Sequence, residues 1–300
     1  MIQESSLTKP NTMATQRPQA YLELTKPRIT LMVLVTVAAG FCLATPAATS
    51  TLVLIHVLVG AGLSCSGSGA LNQYLERESD GVMERTRFRP LPTRKVSPST
   101  VLGFGLALSV GGVVYLAISV NLLTAALNAI TVAAYLFIYT PLKPVSPLAT
   151  LVGAVPGALP PLIGWTAAHG SIGTGGVLLF SILFLWQIPH FLAIGRLYQN
   201  DYRQAGFPML TSLDSDGRIA GRQMVLYSVA LLPVSLMATT VGLSGPVYFW
   251  SALVLGATYT TASLMAASSN SRKWARRLLL TSVLYLPLLL AVMLIDRTMT

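Results

Sequence analysis

Three oxygen-bearing side chains follow a long apolar segment at intervals of four residues. Asn72, Glu76 and Asp80 come directly after the stretch from Leu52 to Leu71, and on a helix this spacing stacks their side chains along one face. Amide and carboxylate oxygens suit Mg²⁺, which proteins often bind together with substrate phosphates. These three residues, the oxygen ladder, therefore favour a magnesium-bridged diphosphate, and the adjoining apolar segment indicates a lipid diphosphate.

The ladder also has a simpler interpretation. Glu76 and Asp80 could be solvated loop charges that balance nearby arginines, and the residues alone leave both interpretations open. In either case we expect Asp80 at an exposed helix end. Arg85, Arg87 and Arg89 alternate just beyond it, where they could bind phosphate oxygens in a bidentate manner or simply keep the loop in the cytoplasm.

A second acidic group follows the sixth apolar segment and contains Asp201, Asp214 and Asp216. Two acidic groups facing one cavity could hold two metal ions on opposite sides of a diphosphate. Asp214 and Asp216 lie in Ser-Leu-Asp-Ser-Asp-Gly, which is more typical of an ordinary turn. Asp201 is therefore the candidate metal ligand of this group.

Tyr139 and Lys143 close the fourth apolar segment. Tyr139 could donate a hydrogen bond to a phosphate oxygen, and Lys143 could supply a further cation. The alternative is an interfacial tyrosine beside a lysine that extends its amine to the membrane surface.

His190 lies inside the sixth apolar segment, in the run Trp186-Gln187-Ile188-Pro189-His190-Phe191. Polar side chains beside a helix-bending proline in a membrane should face a protein cavity and not lipid. A histidine satisfied by a neighbouring helix is the alternative.

The elements that position these residues are predicted to be membrane helices. The 300 residues are 53% hydrophobic and only 10% charged, whereas soluble domains carry about 25% charged residues. We predict an all-α integral membrane protein with nine transmembrane helices around a central cavity, in one domain over 21–300 after a flexible cytoplasmic tail over 1–20. The predicted spans are Ile29–Ala44, Leu52–Leu71, Val101–Ser119, Leu122–Tyr139, Leu148–Ala168, Gly175–Ile194, Met224–Gly242, Val247–Ala267 and Leu278–Ile295.

Basic residues occupy alternate gaps between these spans. Nineteen of the 20 Lys and Arg residues, Arg196 among them, fall on one side, and only Arg297 falls on the other. The positive-inside rule places the N-terminus and the large loops in the cytoplasm and the C-terminus outside. The net charge of +10 is thus explained by topology and predicts no nucleic-acid partner. Four prolines, at 147, 156, 160 and 161, predict that the fifth span is a broken helix.

Together these motifs resemble the intramembrane prenyltransferases of the UbiA type and, within them, the protohaem IX farnesyltransferase (haem O synthase) family. The resemblance covers nearly the whole chain. Its motifs are Leu24-Thr-Lys26-Pro27-Arg28, the oxygen ladder, Met83-Glu-Arg-Thr-Arg-Phe-Arg-Pro-Leu91, Gly157-Ala-Leu-Pro-Pro-Leu-Ile-Gly164, Trp186-Gln-Ile-Pro-His-Phe191 and Asp201-Tyr-x-x-Ala-Gly-x-Pro-Met-Leu210.

The resemblance implies the intramembrane prenyltransferase fold in a bacterial inner membrane, with transfer of farnesyl from farnesyl diphosphate to a vinyl group of haem b. It implies Mg²⁺ as the cofactor, haem b as a substrate, the lipid bilayer as surroundings, and a haem A synthase or terminal-oxidase assembly partner. The implied catalytic residues are Asn72, Glu76, Asp80, Asp201 and His190, the first four of them metal ligands. The implied substrate-binding residues are Lys26, Arg28, Arg85, Arg89, Tyr139, Lys143, Trp186 and Gln187.

This chain departs from the family pattern at two positions. Glu76 stands where the family usually has Asp, and Asp201 stands alone where other members of the superfamily have paired aspartates. Two alternative functions remain open from the residues: prenyl transfer to a quinone precursor or chlorin, and a non-enzymatic transporter or oxidase-assembly protein. Ion-coupled transport would favour charges at mid-bilayer, whereas each Asp, Glu, Lys and Arg here can be placed near an interface or in a loop.

Overall fold

A computed structural model describes residues 12–44, 50–269 and 271–299, and within these ranges all regular secondary structure is helical. The predicted all-α class is confirmed. The helices are α1 Thr12–Leu24, α2 Pro27–Ala44, α3 Thr51–Leu75, α4 Arg77–Val82, α5 Pro98–Ser119, α6 Leu122–Ala133, a π-helical segment Ala134–Tyr139, α7 Thr140–Leu142, α8 Ala149–Ala158, α9 Pro160–His169, α10 Thr174–Leu197, α11 Gln199–Gln204, α12 Leu210–Leu213, α13 Arg218–Thr240, α14 Pro246–Ser269 and α15 Arg272–Met299.

Eight helical segments in the described ranges are long and apolar enough to cross a bilayer. The prediction of an integral membrane protein is confirmed, but the count of nine is not. The predicted span Val247–Ala267 forms a helix of 24 residues, α14, which is outside the set of eight. Its serines, threonines and tyrosines lower its hydropathy, and Tyr248, Tyr259 and Ser263 are buried inside the protein.

The fifth span is broken as the prolines predict. α8 ends at Ala158, and α9 begins at Pro160, whose ring and missing N–H prevent α8 from continuing. This span is 72% buried, the highest share among the eight. The broken helix therefore lies inside the bundle, where protein groups can satisfy its freed carbonyls.

Small residues let several helices touch backbone to backbone. A Cβ atom at Gly67 of α3 would overlap the Ser109 backbone of α5. A Cβ atom at Gly40 of α2 would overlap the Pro161 carbonyl, and one at Gly164 of α9 would overlap the Val37 carbonyl. Such close contacts are a usual way for membrane helices to associate without a hydrophobic driving force.

The helix ends that carry the candidate residues lie at one end of the bundle. The α1–α2 junction, the end of α3, α7 and α11 are joined there by hydrogen bonds that involve Lys26, Asn72, Thr140, Arg85 and Asp201. Residues 1–11 of the predicted flexible tail lie outside the described residues, whereas residues 12–20 belong to α1. Ala20 is buried against the bundle.

Candidate active site

The oxygen ladder runs across the joint between α3 and α4. Glu76 is the single residue between the two helices, and the i+4 hydrogen bonds continue through it, from Glu76 N to Asn72 O at 2.9 Å and from Asp80 N to Glu76 O at 2.8 Å. The three residues are therefore one turn apart. Asn72 and Asp80 are each 1% exposed and Glu76 is 9% exposed.

This burial corrects two expectations. Asp80 does not lie at an exposed helix end, because α4 turns it inward against the loop that follows. The interpretation of the ladder carboxylates as solvated loop charges is also wrong for Glu76 and Asp80. It fits Glu78, whose side chain is 89% exposed beside Arg77.

Each member of the ladder contacts a cation from another segment. Lys26 Nζ donates to Asn72 Oδ1 at 2.7 Å, and Lys143 Nζ donates to Glu76 Oε1 at 2.6 Å. Arg89 NH1 donates to both oxygens of Asp80, at 2.7 and 2.8 Å. Lys143 and Arg89 thus balance the two carboxylates, and Lys26 adds one positive charge in excess when it is protonated.

The charges of this cluster act on one another. Burial, together with the charges of Arg89 and Lys143, lowers the pKa of Lys26 to about 7. Burial alone would raise the pKa of Glu76, but the charge and hydrogen bond of Lys143 lower it below its usual value. Lys26 also has a positive φ of 49°, a costly conformation for a residue with a side chain. Strain of this kind persists only where the surrounding contacts hold it.

The fourth span brings Tyr139, Thr140 and Lys143 to the ladder. The chain passes from α6 through the π-helical segment Ala134–Tyr139 before Lys143, and π turns are frequent at functional sites. Lys143 Nζ lies 4.5 Å from the centre of the Tyr139 ring, and Asn72 Nδ2 donates to Thr140 Oγ1 at 3.1 Å. A Cβ atom at Gly153 of α8 would overlap the Tyr139 ring, so this glycine makes room for it.

The loop from Met83 to Arg89 connects the ladder to Asp201. At one end Arg89 binds Asp80, and at the other the Arg85 backbone N–H donates to Asp201 Oδ2 at 3.4 Å. The Arg85 guanidinium donates to the Tyr202 hydroxyl at 2.9 Å and lies 4.8 Å from the centre of that ring. Asp214 instead accepts from Ala220 N at 2.8 Å, at the start of α13, in agreement with the expected turn.

A cavity of about 250 Å³ opens beside Glu76. Its other lining residues are Leu75, Ser79, Thr140, Pro141, Pro144 and Phe207, so it reaches from the ladder to the segment after α11. A larger groove of about 950 Å³ lies between α13 and α14 and contains none of the predicted site residues. We assign the candidate active site to the smaller cavity, because Glu76 and Thr140 line it and both contact the buried polar cluster, Glu76 through Lys143 and Thr140 through Asn72.

The run around His190 forms a second polar group deeper in α10. His190 Nδ1 is 2.7 Å from Ser282 Oγ of α15, and Trp186 Nε1 donates to the Ser282 carbonyl oxygen at 2.9 Å. Gln187 Nε2 donates to the Ala154 carbonyl of α8 at 2.7 Å. His190 is seven residues before the end of α10, which is roughly 10 Å along the helix axis.

Two basic residues lie outside these groups. Arg28 is exposed at the start of α2. Arg196 was expected in the loop after the sixth span, but it is part of α10. It is buried in α10 and donates to the carbonyls of Ala266 and Gly217 at 2.7 and 3.2 Å. Sequence reasoning missed Thr140, Tyr202 and Ser282; the first two adjoin predicted residues, but nothing in the sequence marks Ser282.

The residues of the ladder fit a magnesium ion that shares its ligands with a substrate. In the described part of the chain, no three Asp, Glu, His or Cys side chains gather closely enough to hold a metal ion by themselves. Mg²⁺ is usually bound by one or two carboxylates, with waters and substrate phosphates completing the shell. Asn72, Glu76 and Asp80 offer such a set, and Asp201 offers one further carboxylate.

Comparison with known proteins gives a consistent result. The UbiA prenyltransferase family model matches residues 33–293. A protein named protoheme IX farnesyltransferase from Solibacter usitatus (strain Ellin6076) is 46% identical over 286 residues, which cover 92% of this chain and 98% of that protein. A protein of the same name from Koribacter versatilis (strain Ellin345) is 44% identical, with 98% of this chain and 99% of that protein covered.

Solved structures share the fold at low sequence identity. A structure described for digeranylgeranylglyceryl phosphate synthase has a TM-score of 0.78 and 15% identity, covering 95% of this chain and all of that one. A UbiA homologue from Archaeoglobus fulgidus bound to DMAPP and Mg²⁺ has a TM-score of 0.64 and 15% identity, covering 91% and 98% of the two chains. These similarities show a common helical architecture.

Proposed function

Because the chain belongs to the UbiA prenyltransferase family, we propose that it transfers the farnesyl group of farnesyl diphosphate to a vinyl group of haem b. The products are haem O and diphosphate. The names of the relatives support this donor and this acceptor. In the reaction the C1–O bond of farnesyl diphosphate breaks, a vinyl carbon bonds to C1, and water adds a hydroxyl to the adjacent carbon with release of a proton.

The proposal that farnesyl diphosphate is the donor substrate rests on the convergence of Lys26, Lys143 and Arg89 on the oxygen ladder. With only two carboxylates among these groups, the buried cluster has an excess of positive charge when Lys26 is protonated, and a bound diphosphate would favour that protonated form. A diphosphate is the anion that such a cluster suits, and charge-assisted hydrogen bonds to it are about twice as strong as neutral ones. Groups that stabilise the departing diphosphate lower the barrier to C–O cleavage.

We assign Mg²⁺ to Asn72, Glu76 and Asp80, with Asp201 as a further ligand. When bound, the metal would neutralise part of the charge of the diphosphate. The chain's own residues hold the remaining charge: Arg85 and Arg89 bind phosphate oxygens, Lys143 and Lys26 supply cations, and the Tyr139 hydroxyl donates a hydrogen bond. Arg28, exposed at the start of α2, would bind the diphosphate as it arrives from solvent.

We assign the binding of haem b, the acceptor substrate, to the polar group around His190. Trp186 and His190 stack at 4.9 Å between ring centroids, and Gln187 fixes α10 to α8. A flat macrocycle suits such an aromatic surface. His190 lies roughly 10 Å from the end of α10 along the helix axis. A porphyrin whose iron lies near His190 would extend its vinyl edge toward farnesyl C1 at the diphosphate end, where the C1–O bond breaks.

We place the active site on the cytoplasmic side of a bacterial inner membrane, because nineteen of the 20 basic residues fall on that side of the predicted spans. Haem O made there would pass to a haem A synthase or to a protein that assembles haem–copper terminal oxidases.

The direct test is to incubate the purified protein in detergent with haem b, farnesyl diphosphate and Mg²⁺ and to measure haem O by mass spectrometry. We expect a product with the mass of haem b plus farnesyl and hydroxyl. Chelation of the metal should abolish the product, and added Mg²⁺ should restore it. Prenylation of a quinone precursor in place of haem b would overturn the proposed acceptor.

A further inference from the structure

Ser282 holds two aromatic side chains of α10 at once. Its hydroxyl oxygen is 2.7 Å from His190 Nδ1, and its carbonyl oxygen accepts from Trp186 Nε1 at 2.9 Å. Ser282 is fully buried on α15, 92 residues after His190. A single residue on the facing helix therefore determines the placement of both rings.

The hydrogen bonds of Ser282 determine which nitrogen of His190 carries the proton. Ser282 Oγ is also 2.6 Å from the Leu279 carbonyl oxygen, to which its hydroxyl donates. A serine hydroxyl has one hydrogen, so it cannot donate to Leu279 and to His190 together. If it donated to His190, two oxygen atoms would face each other at 2.6 Å without a hydrogen between them. His190 Nδ1 must therefore be the donor, and the ring is the Nδ1–H tautomer.

This tautomer leaves Nε2 with an unshared electron pair. Within the described residues, the His190 ring forms its hydrogen bond through Nδ1, with Ser282 Oγ, and not through Nε2. Stacking on Trp186 at 4.9 Å and the edge contact with Phe191 at 5.7 Å fix the plane of the ring. A neutral imidazole oriented through the N–H of one nitrogen is the usual state of a histidine that binds a metal through the other.

We propose that Ser282 is a positioning residue that holds His190 as the Nδ1–H tautomer, so that Nε2 donates its electron pair to the iron of the porphyrin substrate. The inference rests on the proposed function, since it takes the acceptor to be an iron porphyrin. The step is formation of one axial iron–nitrogen bond at a vacant coordination position, with no change in oxidation state. Ligation at the iron fixes the macrocycle, and thereby the position of its vinyl edge.

The test is a spectroscopic haem titration of the purified full-length protein and its variants, with haem b alone as the probe. The parent should show the absorption and electron paramagnetic resonance signals of nitrogen-ligated haem. His190→Ala should lose these signals. Ser282→Ala should weaken haem affinity roughly 10- to 100-fold, the usual effect of losing an orienting partner of a metal ligand. Ser282→Thr, which keeps the hydroxyl, should restore the signals.

Thr281→Ala is the matched control. Thr281 precedes Ser282 on α15, and its hydroxyl donates to the Arg277 carbonyl at 2.9 Å, so this variant removes a similar hydroxyl from the same helix without touching His190. We expect parent-like spectra. Since Ser282→Thr adds a methyl group at a buried position, addition of imidazole to His190→Gly supplies an independent rescue, and it should restore nitrogen ligation.

Two outcomes separate the inference from the proposed function. A parent that makes haem O while His190→Ala and Ser282→Ala leave its haem spectrum unchanged overturns the inference and leaves the function in place. A parent that makes no haem O but shows ligation dependent on His190 and Ser282 overturns the proposed function alone.

Discussion

At the scale of single residues, the contact between Asp80 and Arg89 is the contact of the ladder in which one cation bonds both carboxylate oxygens. One guanidinium nitrogen reaches both carboxylate oxygens, and Asp80 is almost completely buried. We predict that Asp80→Asn lowers haem O formation by roughly a hundredfold or more, because the proposed magnesium site would lose a charged ligand. The free energy of unfolding should fall by only about 1–3 kcal/mol, since the amide keeps the shape and one hydrogen bond.

Glu78→Gln is the control for this variant. Glu78 lies two residues before Asp80, its side chain is exposed, and the substitution removes the same negative charge. It should keep parent activity and stability. Thermal unfolding in detergent reports the stability of both variants. Near-normal turnover by a folded Asp80→Asn protein would contradict the assignment of Asp80 to the site.

Arg85 contacts Tyr202 and Asp201, and we propose that it binds the diphosphate and does not contact haem. We predict that Arg85→Ala raises the KM for farnesyl diphosphate roughly tenfold or more, the equivalent of one charge-assisted hydrogen bond. The haem titration should be unchanged. Arg87→Ala is the control, because Arg87 is exposed and packs on Phe88. Equal effects of the two variants on KM would indicate that Arg85 only keeps the loop in the cytoplasm and does not bind the diphosphate.

The residues of the ladder could be predicted from sequence, because a spacing of four is a local property of one helix. The cations that contact these residues could not be predicted in the same way. Lys26 is 46 residues before Asn72, and Lys143 is 67 residues after Glu76. The resemblance to a family proposed Lys26, the sequence offered Lys143 as a cation without its partner, and Ser282 has no local signal at all. Contacts over such distances depend on how whole helices pack.

At the scale of elements, the π-helical segment and α8 position Lys143 together. Tyr139 ends the π-helical segment, and its ring lies next to both Lys143 and Gly153. We predict that Gly153→Ala displaces the Tyr139 ring and weakens the contact of Lys143 with Glu76. Overpacking of this kind costs about 1–3 kcal/mol, so the melting temperature and the affinity for farnesyl diphosphate should both decrease.

Gly111→Ala in α5 is the matched control, because a Cβ atom there meets nothing within 4 Å. In a helix interior alanine is favoured over glycine by up to about 1 kcal/mol. Stability should therefore stay the same or increase, with parent activity. If Gly153→Ala behaved like this control, Tyr139 would have no part in positioning Lys143.

The break in the fifth span could be predicted, since proline acts on its own helix. The location of α4 could not, because Arg77–Val82 has few residues and its inward turn depends on the contact of Asp80 with Arg89, nine residues later. The expected exposed helix end was wrong for this reason. From sequence alone, a short polar helix after a membrane span is predicted to be a loop, because the contacts that fold it are not visible in its own residues.

At the scale of the whole molecule, the distribution of charge predicts the orientation in the membrane. Ser171 follows α9 at one end of the bundle and Ser215 precedes α13 at the other, and both are exposed. In a background with Cys42 and Cys65 replaced by alanine, we predict that a membrane-impermeant maleimide labels Ser171→Cys in intact cells. Ser215→Cys should react only after the cells are permeabilised. The opposite labelling pattern would place the candidate site outside the cell.

The ion pairs of the ladder also set an order of events during synthesis. Asp80 meets Arg89 only nine residues later, so this pair can form as soon as the segment leaves the ribosome. Glu76 must wait for Lys143, 67 residues further on, which takes roughly 3 to 13 seconds at ordinary elongation rates. During this interval the fourth span still has to enter the bilayer, and Glu76 has to stay in water. The site therefore matures only when the fourth helix has been inserted, and an insertion error there would leave a carboxylate without its cation.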